Sequence, residues 1–431
     1  MLEKIFQLKQ YSTSVRQELF AGLTTFMTMA YILAVNPAIL GVTGMDTGAL
    51  FTATALASIV GTLLMAFLAR YPIALAPGMG INAFFAYTVV IGMGIGWQMA
   101  LTAVFIEGII FILLTLFSLR ERIVNAIPMS IKHAISVGLG LFIALIGLQG
   151  SGIIISNDAT MIGIGNIASA PALVTLFGLL FTGMLLVRKV KGALLIGMLA
   201  ATLLGIPFGV TILPEGKPLS LPPSLEPTLF KFDFAAAFSY EFIIVIIVFL
   251  LTDMFDTVGT LIGVGVKSGF LDAQGKLPRA RKALLADAIA TTAGAAFGTS
   301  TTTAYVESAA GVAEGGRTGL TAVIVALLFA LALFFAPMFL MIPKAATAPV
   351  LILVGLFMAT PIKEINFSDY TESIPAFLTI VTMPLTYSIA DGIAFGVVSS
   401  VLLKLFSGQH RQVSVLMYIL AVLFVIKLLT H

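Results

Sequence analysis

The sequence predicts an all-α polytopic membrane protein: fourteen transmembrane segments in a seven-plus-seven inverted repeat, with short antiparallel strands in spans 3 and 10. Three observations predict it. Of 431 residues, 59% are hydrophobic and only 10% charged, where a soluble globular domain carries about 25% charged. Apolar stretches near the roughly 20 residues that a helix needs to cross hydrocarbon recur along the whole chain. Short sequence echoes return in the same order in its two halves.

The chain begins MLEKIFQLKQYSTSVRQE, with no apolar core before its charges, so this is no cleavable signal peptide but at most a short amphipathic segment on the membrane surface. Apolar stretches follow at 18–40, 49–69, 71–91, 97–117, 130–149, 171–187, 190–209, 240–266, 283–298, 299–314, 318–341, 344–361, 374–389 and 391–407. Those at 71–91 and 283–314 are short or rich in Gly and Thr. A last apolar stretch, 413–430, reads as a fifteenth span or an interfacial helix.

With the N-terminus cytoplasmic and fourteen crossings, only Lys217, Lys231 and Lys344 fall outside among the basic residues before that last stretch. Lys4, Lys9, Arg16, Arg70, Arg120, Arg122, Lys132, Arg188, Lys189, Lys191, Lys276, Arg279, Arg281 and Arg317 all fall inside, as the positive-inside rule demands. The Pro-rich loop 212–238 then lies outside and the basic loop 267–282 inside. A net charge of +3, with no basic patch, speaks against nucleic-acid binding. The absence of cysteine excludes disulfides, thiol catalysis and thiolate metal sites.

The echoes are specific in spacing. Leu101-Thr-Ala-Val104 returns as Leu320-Thr-Ala-Val323. Ile127-Pro128 and Gly140-Leu-Phe-x-Ala144 return as Ile342-Pro343 and Gly355-Leu-Phe-x-Ala359, and Pro171-Ala-x-x-Thr175 as Pro375-Ala-x-x-Thr379. Seven spans per repeat is odd, so the second copy enters the membrane inverted. Inverted repeats are the architecture of secondary transporters, whose sites lie near the midplane on interrupted helices.

Two matching interrupted segments stand out. Ala74-Leu-Ala-Pro-Gly-Met-Gly-Ile-Asn-Ala-Phe-Phe85 carries Pro77, Gly78 and Gly80, which break a helix. Phe297-Gly-Thr-Ser-Thr-Thr-Thr-Ala-Tyr-Val-Glu-Ser308 is rich in β-branched Thr, including Thr303, which suits extended backbone. Both are expected to begin extended and turn helical midway, presenting half-helix N-termini to whatever binds between them.

An Asp at mid-bilayer costs about 2.5–3.5 kcal/mol to insert, so such residues face the bundle interior and usually mark function. Asp253 and Asp256 lie one turn apart on one face of the eighth span, Glu307 in the tenth, and Asn82 at the matching place in the third. Asp253 reads equally as a hydrogen-bonding group between helices. Asp287 and Glu107 read as locally satisfied. Phe84, Phe85 and Tyr305 are core residues or stacking platforms, and His133, His410 and His431 receive no role.

The stretches AGLTTFMTMAYILAVNP (21–37), RYPIALAPGMGINAFFAYTVV (70–90), DMFDTVGTLIGV (253–264), GTSTTTAYVESAAGVAEGGRTGLTA (298–322) and PAFLTIVTMPLTYSIADGIAFG (375–396) resemble the nucleobase:cation symporter-2 family, and within it the AzgA-like purine permeases. The resemblance runs along nearly the whole chain. It implies a core domain (18–117 and 240–341) rocking against a gate domain (130–209 and 344–407), in the inner membrane of a bacterial cell. It implies a purine, adenine or guanine and hypoxanthine, bound between the spans 3 and 10 strands. Asp256 and Glu307 would accept from its ring N–H groups, Asn82 and Thr303 would complete its edge, and Phe84 or Tyr305 would cover its face. No cofactor is implied beyond a coupling proton, carried by Asp256, Glu307 or Asp253; sodium stays open as the alternative. The chain has Thr257-Val258-Gly259 where uracil-type relatives carry a His after the span-8 acid, which turns the proton role toward the carboxylates. The wider family also implies a homodimer through the gate domain as one option.

Rival readings are an anion carrier of the same fold, a channel, and an intramembrane aspartyl protease using Asp253 or Asp256. Two acids at an anion site and the lack of YD and GxGD patterns speak against the first and last.

Overall fold

The structure, a computed structural model, describes residues 2–117, 127–157, 160–214, 217–235, 239–268, 270 and 277–429. Arg120, Arg122, Lys276 and His431, used in the readings above, lie outside the described residues.

Among the described residues nine helices are long and apolar enough to cross a bilayer: Val15–Thr43, Thr47–Ala69, Trp97–Leu116, Met129–Gly150, Ala170–Val187, Tyr240–Gly265, Gly319–Leu340, Lys344–Glu364 and Ile389–Phe406. Met79–Gly92, Ala193–Gly205 and Val415–Leu429 are shorter apolar helices. Two more helices, Ala280–Phe297 and Tyr370–Thr386, complete the bundle. The stretch 299–314 is not helical through its length: a strand and a six-residue helix, Ser308–Ala313, share it.

The described residues hold four strands, β1 (Leu75–Pro77), β2 (Ile154–Asn157), β3 (Met161–Ile164) and β4 (Thr302–Ala304). β1 and β4 pair antiparallel, with Leu75 opposite Ala304, Ala76 opposite Thr303 and Pro77 opposite Thr302. Pro77 lacks an N–H and sits at the end of its strand, where no ladder donor is lost. The β2–β3 hairpin is not among the expected elements. Its two four-residue runs are too short for apolar periodicity to distinguish strand from loop.

Two features tie the halves together. The Met129–Gly150 and Lys344–Ala359 helices meet at Gly140 and Gly355, the echoed glycines: a Cβ on Gly140 would lie 2.5 Å from the Gly355 carbonyl oxygen. No larger residue permits so close an approach. The second tie is Glu18, which is fully buried. Its carboxylate accepts from the N–H groups of Arg317 (3.0 Å) and Thr321 (3.1 Å) and from the Thr321 hydroxyl (2.6 Å). It thereby caps the Gly319–Ala332 helix, whose first N–H groups have no partner within the helix.

Two core clusters meet at β1 and β4, one holding Ala76 and the other Leu75 and Ala304; Phe84, Phe85, Phe249, Phe142 and Phe329 are fully buried in the first. Wide-turn helix runs on from the short helix after β1, over Phe84–Gly92. Such turns are uncommon and recur beside functional sites.

Candidate functional site

The strand pair is stapled by side chains on its flanks. The Thr62 hydroxyl bonds both the carbonyl and the N–H of Leu75 (3.1 and 3.0 Å). The Thr291 hydroxyl donates to Thr302 O (2.9 Å), and the Gly78 N–H to Thr301 O (3.0 Å). Thr301 donates to the buried Glu107 (2.8 Å). The Thr303 and Thr257 hydroxyls lie 2.7 Å apart, and Thr257 is also within 2.9 Å of Asp287 Oδ1 and 3.2 Å of Asp253 Oδ1. These hydroxyls satisfy backbone that would otherwise be costly at depth in an apolar bundle.

Asp253 and Asp256 therefore do different things. Asp253 is fully buried and shares the Thr257 hydroxyl with Asp287 behind β4. Asp256 is partly accessible, and its Oδ2 stands 3.7 Å from where a Cβ on Gly78 would be. Gly78 caps the helix that continues to Gly92, so the Asp256 carboxylate faces a helix N-terminus, where negative charge is favoured.

Glu307 enters from the other broken segment. It is partly accessible, directly precedes the Ser308–Ala313 helix, and its Oε1 accepts from the Tyr31 hydroxyl at 2.5 Å. Asp256, beside Gly78 at the end of β1, and Glu307, just beyond β4, thus flank the same strand pair.

The remaining sequence-predicted residues are more enclosed. Tyr305 is 5% exposed, and its hydroxyl donates to Pro77 O (2.6 Å) across the strand pair. Thr303 lies on β4 opposite Ala76. Phe84 is fully buried with its ring edge-on to Phe249 at 4.8 Å. Asn82 is fully buried, and both ends of its amide have protein partners: Nδ2 donates to Asn36 Oδ1 (2.6 Å), and its oxygen accepts from Ser300. Asn36 in turn donates to Thr54 (2.7 Å) and Thr299 (2.9 Å). This polar knot joins four segments just behind the half-helices.

The sequence marked Thr257 only as standing in place of a His, and did not single out Tyr31 or Asn36. Asn36 had a readable signal, an amide next to Pro37 inside an apolar span. The contacts of Tyr31 and Thr257 had none, because only folding brings them to Glu307 and Asp287.

Cavity size does not locate the site. A cavity of about 340 Å³ lies elsewhere, lined by Ala34, Pro37, Val42, Phe339, Ile342 and Lys344. It lacks converging polar groups, whereas the β1–β4 pair gathers two acids and a helix N-terminus.

The permease family's sequence pattern matches residues 16–395. The chain is 50% identical over 426 residues to a putative permease, MJ0326, of Methanocaldococcus jannaschii, covering 99% of this chain and 98% of that one. It is 47% identical to the guanine/hypoxanthine permease PbuG of Bacillus subtilis, covering 99% of each chain. It is 44% identical to the adenine permease AdeP of Escherichia coli, covering 99% of this chain and 96% of the other. Among solved structures, the transmembrane domain of the cyanobacterium bicarbonate transporter BicA is similar in fold, with TM-score 0.66, 17% identity, and 88% of this chain and 97% of that one covered. The murine anion transporter Slc26a9 in its inward-facing state is similar at TM-score 0.63 and 14% identity, over 91% and 68% of the two chains. At such identities the likeness is one of fold.

Proposed function

The chain belongs to this permease family, and from that premise we propose that it is a secondary active purine permease importing adenine, or guanine and hypoxanthine, with a coupling proton. It is a multi-pass membrane transporter, not an enzyme. The observation that carries the purine reading is that Asp256 stands beside Gly78 at the end of β1 and Glu307 just beyond β4, in a chain 44–47% identical to named purine permeases. A purine is planar with N–H donors on its edge, and two carboxylates can accept from them. The first-turn N–H groups after Gly78 supply donors for the ring nitrogens. Asn82, with its amide engaged in the polar knot, fixes the half-helix. Thr303 holds the strand, and Phe84 and Tyr305 wall the site. An anionic cargo would meet two carboxylates, which speaks against it.

Fourteen crossings in inverted repeats, with the N-terminus in the cytoplasm of a bacterial cell, accord with the echoed contact at Gly140 and Gly355 and with the basic residues of the inner loops. The core (18–117, 240–341) then rocks against the gate (130–209, 344–407), a homodimer forming through the gate. The outer side is closed. Tyr387 of the gate stands edge-on to Tyr87 of the core (6.0 Å) and to Phe142 (5.1 Å). Its hydroxyl bonds Gln149, its carbonyl accepts from Thr88 (3.2 Å), and the neighbouring crevice holds about 30 Å³. Protonation of one acid from outside would favour the loaded, inward-moving state. Asp253, enclosed behind β4, is the least placed of the three acids to take that proton.

The test is purine uptake into proteoliposomes under an imposed pH gradient. Accumulation should follow the gradient, and Asp256→Asn should abolish accumulation. Uptake indifferent to the gradient, or an accumulating Asp256→Asn variant, refutes the coupling. Failure of every purine to raise the protein's thermal stability refutes the cargo.

A further inference from the structure

Tyr31 is fully buried, and its hydroxyl lies 2.5 Å from Glu307 Oε1. That distance is in the range of a hydroxyl donating to an ionised carboxylate. The contact links residues 276 apart in sequence, from the first span to the tenth. Tyr31 lies within the Val15–Thr43 helix, where the backbone stays right-handed helical through Ala30 and Tyr31. Three residues earlier, the Thr28 hydroxyl reaches within 3.5 Å of the Glu307 carbonyl oxygen. This turn of the first span thus faces both the side chain and the backbone of Glu307.

We propose that Tyr31 is a positioning residue for the purine: its phenol holds one oxygen of Glu307 and leaves the other, in a set direction, as the acceptor for a ring N–H. The inference rests on the reading of Glu307 as a purine acceptor. A carboxylate on a flexible side chain would otherwise rotate, and the ligand would have to order it on binding. Tyr31 ends that rotation before the ligand arrives. Tyr305, the other nearby phenol, cannot substitute, because its hydroxyl is committed to Pro77 O.

The experiment compares wild type, Tyr31→Phe, Glu307→Gln and the double variant of the full-length protein, with labelled adenine and labelled hypoxanthine as probes. Tyr31→Phe keeps the ring and removes only the donor. Purine dissociation constants and transport KM are expected to rise about tenfold to a hundredfold, the effect of a lost hydrogen bond to a charged group. Maximal velocity and the unliganded thermal midpoint should change little, a split that a packing role would not produce. In the Glu307→Gln background the Tyr31→Phe loss should shrink to within about twofold, since the pair acts as one unit. Wild-type affinity in Tyr31→Phe, or full additivity of the two losses, overturns the positioning role while leaving the purine reading standing. A wild-type protein that binds neither purine overturns both.

Discussion

Gly78 is where the β1–β4 pair, the half-helix and Asp256 meet, and a single methyl group there tests the site's geometry. In Gly78→Ala the new Cβ would stand 2.7 Å from Thr303 Cγ2, about 0.7 Å inside the 3.4 Å at which ordinary contact begins. Thr303 cannot swing away. It is β-branched, its hydroxyl is held 2.7 Å from Thr257, and its backbone is in register with Ala76. The strand pair must open instead, and with it the spacing of Asp256 from Glu307. Overpacking of this kind costs about 1–3 kcal/mol, which, taken out of binding, weakens purine affinity roughly 5- to 150-fold. The assay is equilibrium binding of labelled purine to the purified protein, with a thermal-unfolding scan of the same sample. Thr303→Ser removes the offending methyl and keeps the hydroxyl, so Gly78→Ala/Thr303→Ser should regain most of the lost affinity. An undiminished affinity in Gly78→Ala, or no rescue by Thr303→Ser, would refute the reasoning.

Two further outcomes are expected. Glu18→Ala strands the buried N–H groups of Arg317 and Thr321 and should destabilise the protein by roughly 3 kcal/mol, with Glu18→Gln milder, as read from thermal unfolding in detergent; equal midpoints would remove Glu18 from its capping role. Tyr387→Ala deletes the edge-on ring contact that crosses from gate to core at Tyr87, about 1 kcal/mol in favour of the closed outer side, and should shift the population toward outward opening about fivefold. Because the chain has no cysteine, a single Ile146→Cys in the outer crevice reports this as faster labelling by a membrane-impermeant maleimide; an unchanged rate would show that Tyr387 is not the closure.

The apolar runs, the breaks at Pro77-Gly78 and the Thr-rich stretch, and the carboxylates Asp256 and Glu307 were legible in the chain itself. Hydrocarbon cannot solvate backbone or charge, so span length, helix breakers and intramembrane acids carry meaning before any contact is known. The same reasoning grouped Asp253 with Asp256, because residues three apart share a helix face. Packing separated them: the Thr257 hydroxyl turned Asp253 toward Asp287, while Asp256 met Gly78.

What only the tertiary structure decided is which polar groups answer one another. Tyr31 looks like an ordinary aromatic in an apolar run until packing sets its hydroxyl against Glu307. Asn82 resembles a ligand donor until Asn36 and Ser300 occupy both ends of its amide. The β2–β3 hairpin appeared only through its pairing. Local sequence sets the cost of each buried group, but its partner comes from a segment tens to hundreds of residues away, and no local pattern encodes that choice.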